Sequence, residues 1–253
     1  MTAAPAPILA PETPAHALGS SDACLWHARP DRLAPETLDA CRSVLGPAER
    51  ERHARLRDPD GRRRYLVSRA LVRCALSAHA AVPPAGWTFR RGAHGKPEIA
   101  APATATPLRF SLSHTRGLVA CLVARAEVGV DVEFLGRSLA VMPLARRFLS
   151  AAEAGDLRAC PRPDRPRRFL EVWTLKEAYL KARGLGLGGG LDALSVRVAP
   201  REPIELRMPS DDARRWQLGF CEPSPEHVCA YAIRDARVRL RLVPFESATH
   251  PTR

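Results

Sequence analysis

Phe169–Arg183 reads FLEVWTLKEAYLKAR, a run with helical period. Trp173, Glu177, Leu180 and Lys181 stand at i, i+4, i+7 and i+8 and so share one stripe, with Lys176 beside it. The glycine run Gly184–Gly190 (GLGLGGG) then stops the helix and turns the chain. A phosphate loop would precede a helix and offer the anion its N-terminal amides; this run follows one and is not read that way. Strands are expected beyond it at Leu194–Val198, Trp216–Phe220, His227–Ile233 and Val238–Val243. The same order occurs upstream. Arg62–Ala80 has apolar Tyr65, Leu66, Ala70, Val72 and Leu76 near a 3.6 period and is read as a helix. Strands follow at Trp87–Arg90, Leu108–Leu112, Leu118–Ala124 and Val128–Phe134. Leu108 matches Trp216 and Leu118 matches His227, shifts of 108 and 109 residues. The pattern is that of a duplicated α+β unit. The expected fold is α+β, a pseudo-dimer of two similar α/β halves at 21–129 and 130–245. A disordered tail is expected at 1–20 and a flexible one at 246–253. The seam between such halves is a natural cleft.

The 253 residues carry a net charge of +12 and a pI of about 10.2. Such a balance points to an anionic partner, although an arginine-rich composition produces the same charge without one. No apolar run outlasts Leu118–Ala124, far below the roughly 20 residues of a membrane span. The first residues show no basic n-region and no apolar h-region. Seven scattered cysteines without a CxxC suggest reduced thiols and a cytoplasmic protein.

Only three of the 39 basic residues are lysines: Lys96, Lys176 and Lys181. Arginine makes surface ion pairs at least as well, so a Glu177–Lys181 helix pair, worth about 0.3 kcal/mol, does not explain lysine there. A compact, mobile ammonium suits a single phosphate oxygen in a confined site. In GVDVE, Asp131 and Glu133 lie two apart in a strand and share a face, with Val130 and Val132 on the other. Two carboxylates so spaced can reach one hard cation, as Mg²⁺ prefers, or can simply line a solvated strand face. FSLSHTRG (Phe110–Gly117) alternates Phe110 and Leu112 with Ser111 and Ser113 before a turn. His114 then lies at a strand end, partly exposed, where it could donate to a diphosphate.

Together HGKP, SLSH, GVDVE and WTLKEAYLKARGLGL, in their order and spacing along the chain, resemble the 4′-phosphopantetheinyl transferases of the surfactin-synthetase-activating type. The helix motif matches that family's W-x-x-K-E-[AS]-x-x-K pattern. The likeness covers roughly residues 45–200, and the order of elements extends it to about 243. It implies the pseudo-dimeric 4′-phosphopantetheinyl transferase fold and a holo-[acyl-carrier-protein] synthase activity. Coenzyme A would give its phosphopantetheine arm to a serine of an apo acyl, peptidyl or aryl carrier protein, releasing adenosine 3′,5′-bisphosphate. By motif, Asp131, Glu133 and Glu177 would bind Mg²⁺ with the diphosphate. Glu177 or Glu133, directly or through water, would take the serine proton. Lys181 would contact the transferring phosphate and, with Glu177 and Glu133, form the catalytic set. Ser113, His114 and Asp131 would meet the coenzyme A phosphates, and Lys96 would line the nucleotide pocket. Lys176 would have a supporting role. The family's basic residues before the first long helix meet the 3′-phosphate. Arg52 matches one position and Arg64 falls at the helix start. Another expected basic position is Glu49, with Arg50 adjacent, which leaves open which arginine takes that phosphate.

Two other classes share parts of this pattern. A Mg²⁺-dependent nuclease would need a carboxylate-x-lysine pair on one strand, but Glu133 follows Asp131 at that spacing, and no stacking platform is evident. A non-catalytic binder of acidic proteins would leave three co-facing acids without purpose. The expected partners are coenzyme A and a fatty-acid, polyketide or nonribosomal-peptide carrier, with no nucleic acid and no membrane. A fused pseudo-dimer has no need to oligomerise, so a monomer is expected.

Overall fold

The computed structural model describes residues 18–186, 191, 193–199 and 202–245. Most of the expected N-terminal tail (1–17), all of the C-terminal one (246–253) and residues 187–190 of the glycine run lie outside them.

Each half places one long helix on a sheet. The first runs β1 (Asp22–Ala28), α1 (Pro35–Ser43), α2 (Pro47–Arg55), α3 (Pro59–Ser77), β2 (Thr88–Arg91), β3 (Pro97–Ala101), β4 (Arg109–Thr115) and β5 (Leu118–Ala124). The second runs β6 (Val128–Phe134), α4 (Val141–Phe148), α5 (Ala151–Ala159), α6 (Arg165–Arg183), β7 (Ser195–Arg197), β8 (Glu205–Arg207), β9 (Gln217–Cys221), β10 (His227–Ile233) and β11 (Arg239–Pro244). α3 and α6 are both 19 residues long. β5, β6 and β10 have the bounds expected from sequence, and α3 and α6 each start three or four residues earlier than expected. Pro59 and Pro166, in the first two positions of these helices, explain the early starts: proline's fixed φ suits a first turn, which needs no apolar period.

One sheet has the order β11-β1-β5-β4 and the other β6-β10-β9, with β2-β3 and β7-β8 as separate ribbons. β11 leaves the second half and pairs in parallel with β1, from Asp22↔Arg239 to His27↔Pro244. Three cores stack in layers. α3 covers one face of the first sheet with Leu66, Leu71 and Leu76 against Trp26, Val119 and Cys121. Ala23, Leu25, Ala120 and Leu122 meet Val128, Val130, Val132 and Ile233 between the sheets. α6 closes the second sheet with Leu175, Tyr179 and Leu180. β1 and β5 are therefore buried on both faces, which is why LVACLVA reads as a continuous apolar run.

Candidate active site

β6 alternates as GVDVE predicts. Val130 and Val132 enter the inter-sheet core, leaving Gly129, Asp131 and Glu133 toward α6. Gly129 sets how closely the helix approaches: a Cβ there would lie 1.8 Å from the Ala178 carbonyl oxygen and 2.6 Å from the Ala182 nitrogen. With no side chain in the way, the backbone of α6 lies directly on the strand. Glu177 and Lys181, one turn apart, are thus carried to Asp131.

Lys181 Nζ lies 2.5 Å from Asp131 Oδ1 and 3.1 Å from Ser113 Oγ. The Ser113 hydroxyl donates to Asp131 Oδ1 at 2.8 Å and accepts from Val132 N at 3.3 Å. Ser111 accepts from Val130 N at 3.1 Å. Two serines of the first half thus satisfy edge amides of the second half's strand. The buried serines of FSLSH are this seam, where an alternating strand with one wet face would have left them in water.

Glu177 has no such partner. Its Oε1 is buried without a hydrogen bond. Burial first, then the negative charge of Asp131, push its pKa up to about 7; Lys181 pulls it down, and Glu133 adds the smallest upward push. Glu133 pairs at 2.6 Å with the half-exposed Arg137, one turn along the chain. Among the described residues, no group of three His, Cys, Asp or Glu side chains is set out to hold a metal ion.

A cationic surface borders this centre. His114 is solvent-accessible, yet the protein packed around it and then the charge of Arg64, with smaller parts from Arg69 and Lys181, lower its pKa. Arg52 and Arg69 lie over the Tyr65 ring, at 5.5 and 5.4 Å from its centroid.

The chain matches two family models that meet at one residue: "4′-phosphopantetheinyl transferase, N-terminal" over residues 32–127 and "4′-phosphopantetheinyl transferase superfamily" over 127–232. The 4′-phosphopantetheinyl transferase HetI of a Nostoc species is 32% identical over 224 residues, covering 88% of this chain and 92% of HetI. The chain belongs to the 4′-phosphopantetheinyl transferase superfamily. A 4′-phosphopantetheinyl transferase of Bacillus subtilis is 26% identical, covering 74% of this chain and 86% of that protein. The 4′-phosphopantetheinyl transferase Sfp of B. subtilis is 28% identical, covering 70% and 77%. As a phosphopantetheinyl transferase, the protein moves phosphopantetheine onto carrier proteins.

Within the transferase, the residues singled out by sequence fall in separate places. Ser113, Asp131, Glu177 and Lys181 meet at the seam, with Glu133 beside them. His114 and Arg64 are within electrostatic reach of each other. Lys96 is elsewhere: its Nζ donates to the Ala182 carbonyl at 3.0 Å and to that of Val128 at 3.4 Å, at the C-terminal end of α6. There it lines a cleft of about 290 Å³ with Arg90, Arg109, Glu127 and Arg183. Lys176 is fully buried, donating to Glu153 Oε2 at 2.9 Å and to the Phe148 carbonyl at 3.1 Å. Glu49 caps Gly46 N and accepts from buried Arg73, and Arg50 donates to the Leu45 carbonyl, so the fold itself occupies both. Arg69 was not anticipated. Its Nε is buried without a partner, and burial lowers its pKa. The available signal was an arginine one turn after Tyr65 on the apolar side of α3.

Proposed function

We propose that the phosphopantetheine donor is coenzyme A, that the reaction requires Mg²⁺, and that the seam between the halves is where transfer occurs. One observation carries this reading. Lys181, Ser113 and Asp131 form a closed hydrogen-bonded set contributed by both halves, while beside it a buried carboxylate, Glu177, has an unsatisfied oxygen. A buried acceptor without a donor is costly unless a ligand completes it. The donor set is chemically suited to Mg²⁺: three hard carboxylates, one unpartnered, whose mutual repulsion a cation would relieve. Asp131, Glu133 and Glu177 would hold it, and when bound it would neutralise charge on the coenzyme A diphosphate.

The chain's own groups then divide the work. Lys181, already shared between Asp131 and Ser113, turns its ammonium to the phosphate that is transferred. Ser113 and His114 hold diphosphate oxygens, and Arg52, Arg64 and Arg69 surround the 3′-phosphate. Lys96 and the cleft beside it border the nucleotide. Glu177 or Glu133 accepts the proton of the carrier serine as its oxygen bonds to phosphorus; the bond to the departing adenosine 3′,5′-bisphosphate breaks. We further propose a monomer working in the cytoplasm without nucleic acid or membrane. All seven cysteines are free, and among the described residues no helix is long and apolar enough to cross a bilayer.

The test is direct. The protein, a fluorescent coenzyme A and an apo carrier are incubated with Mg²⁺ and, in parallel, with EDTA from the start. Label on the carrier is expected in the Mg²⁺ reaction and none in the parallel reaction begun in EDTA. No label on any of several acyl, peptidyl and aryl carriers would refute the reading. Glu177→Gln should lower the transfer rate by about 10²-fold or more, in the range of an essential acid–base group.

A further inference from the structure

The hairpin tip that presents Ser113 and His114 is held by a histidine from the other half. Thr115 pairs with Leu118, so Arg116 and Gly117 form a two-residue connection between β4 and β5. The turns that match strand twist in such a hairpin, types I′ and II′, need a positive φ at the first central residue. Here Arg116 has a negative φ and only Gly117 is positive, at 77°. A turn of that kind splays the strands unless something outside it holds the central peptide.

His227, the first residue of β10, does this. It is 5% exposed, and both ring nitrogens are engaged. Nε2 lies 2.7 Å from the Arg116 carbonyl oxygen, which fixes it as the protonated donor. Nδ1, the acceptor in that tautomer, lies 3.0 Å from Ser224 Oγ. The ring also packs against Phe134, centroids 5.5 Å apart, and a Cβ on Gly117 would sit 3.6 Å from it. The Arg116 guanidinium lies over the same Phe134 ring, 5.5 Å from its centroid. Phe134 adjoins Glu133 on β6, so the turn and the carboxylate strand are braced by one group.

We infer that His227 is a positioning residue of the transferase: through the Arg116–Gly117 peptide it sets the register in which Ser113 meets Asp131 and Lys181 and in which His114 stands next to Ser113 at the strand end. It touches none of the reacting atoms. This rests on the proposal that Ser113 and His114 hold the donor's phosphates.

Three variants in the full chain test it. His227→Phe keeps a ring against Phe134 but removes the donor to Arg116. His227→Gln restores an amide donor. His114→Ala tests the underlying reading. With carrier saturating, His227→Phe should raise the KM for coenzyme A about tenfold with kcat changed less than about threefold, and His227→Gln should return KM to within about threefold of wild type; a tenfold KM change corresponds to about 1.4 kcal/mol of lost binding. Unchanged KM in His227→Phe, or equal losses in both variants tracking a fall in Tm, would overturn the inference. If His227→Phe does not fold, Ser224→Ala, which frees the ring to flip, must raise the same KM by at least threefold or the inference fails. An unaltered KM in His114→Ala would instead overturn the assignment of the phosphates to this turn, whatever His227 does.

Discussion

Glu177 is the residue whose chemistry depends most on its surroundings. In water its carboxyl would ionise near 4.5; burial and the adjacent acids raise this to about 7. Between those values the folded protein holds a proton that the unfolded chain has lost, so stability falls as pH rises across the window. Thermal unfolding from pH 4.5 to 8 should show this decline, and Glu177→Gln should flatten it; a variant with the same slope as wild type would place the titration elsewhere. Lys176, beside Glu177 in sequence, has the opposite position. Its pair with Glu153 is fully buried, and Glu153 also accepts from Ser150 N and Val196 N. Lys176→Met should cost about 3 kcal/mol by leaving a buried carboxylate without its cation, and the added Glu153→Gln should recover much of it. Urea denaturation measures both, and a single variant as stable as wild type would contradict the account. The lysine beside the Glu177–Lys181 stripe is thus a bolt between α6, α5 and β7. The helical period already sets it off the Glu177–Lys181 stripe; only packing says that its own face is dry.

At the scale of elements, α6 on β6 is the contact that builds the site. Its sequence signals were strong: a 3.6-period stripe in one, a period-2 alternation in the other. Gly129 is what brings them into backbone contact. Gly129→Ala puts a methyl on a carbonyl oxygen and should cost at least about 2 kcal/mol as overpacking against backbone that cannot move aside. A denaturation midpoint equal to wild type would show that α6 is not pressed on the strand as described. Other elements were illegible for identifiable reasons. α2 buries no residue and so has no apolar stripe to read. β1 is buried on both faces, and DACLWHA gives no alternation. α5 starts from a capping box, Ser150 with Glu153, which is two residues of signal in an otherwise alanine-rich stretch.

For the whole molecule, the two halves interlock at more than the site. β11 returns to pair with β1, His227 reaches the β4–β5 turn, and serines of β4 satisfy amides of β6. A ligand that bridges the halves should therefore stabilise the entire fold. Coenzyme A with Mg²⁺ should raise Tm as one cooperative transition, and either alone by less. The rise should drop to that of coenzyme A alone in Asp131→Asn if that carboxylate holds the cation; an undiminished rise in the variant would remove Asp131 from the set.

The amino-acid sequence by itself determined the chemistry available and the repeat. Helical and strand periods, the shift of about 108 residues and the three lysines in an arginine-rich chain are local or compositional facts. Tertiary structure alone decided which of those groups meet. Lys181 reaches Ser113 across 68 residues and Asp131 across 50, while Lys96 caps the end of α6 and Lys176 is sealed in the core. The reason is that period fixes a side chain's face within its own element. Its partner depends on how closely two elements approach, and here that distance is set by a missing Cβ at Gly129 and by hydroxyls spent on the amides of a strand from the other half.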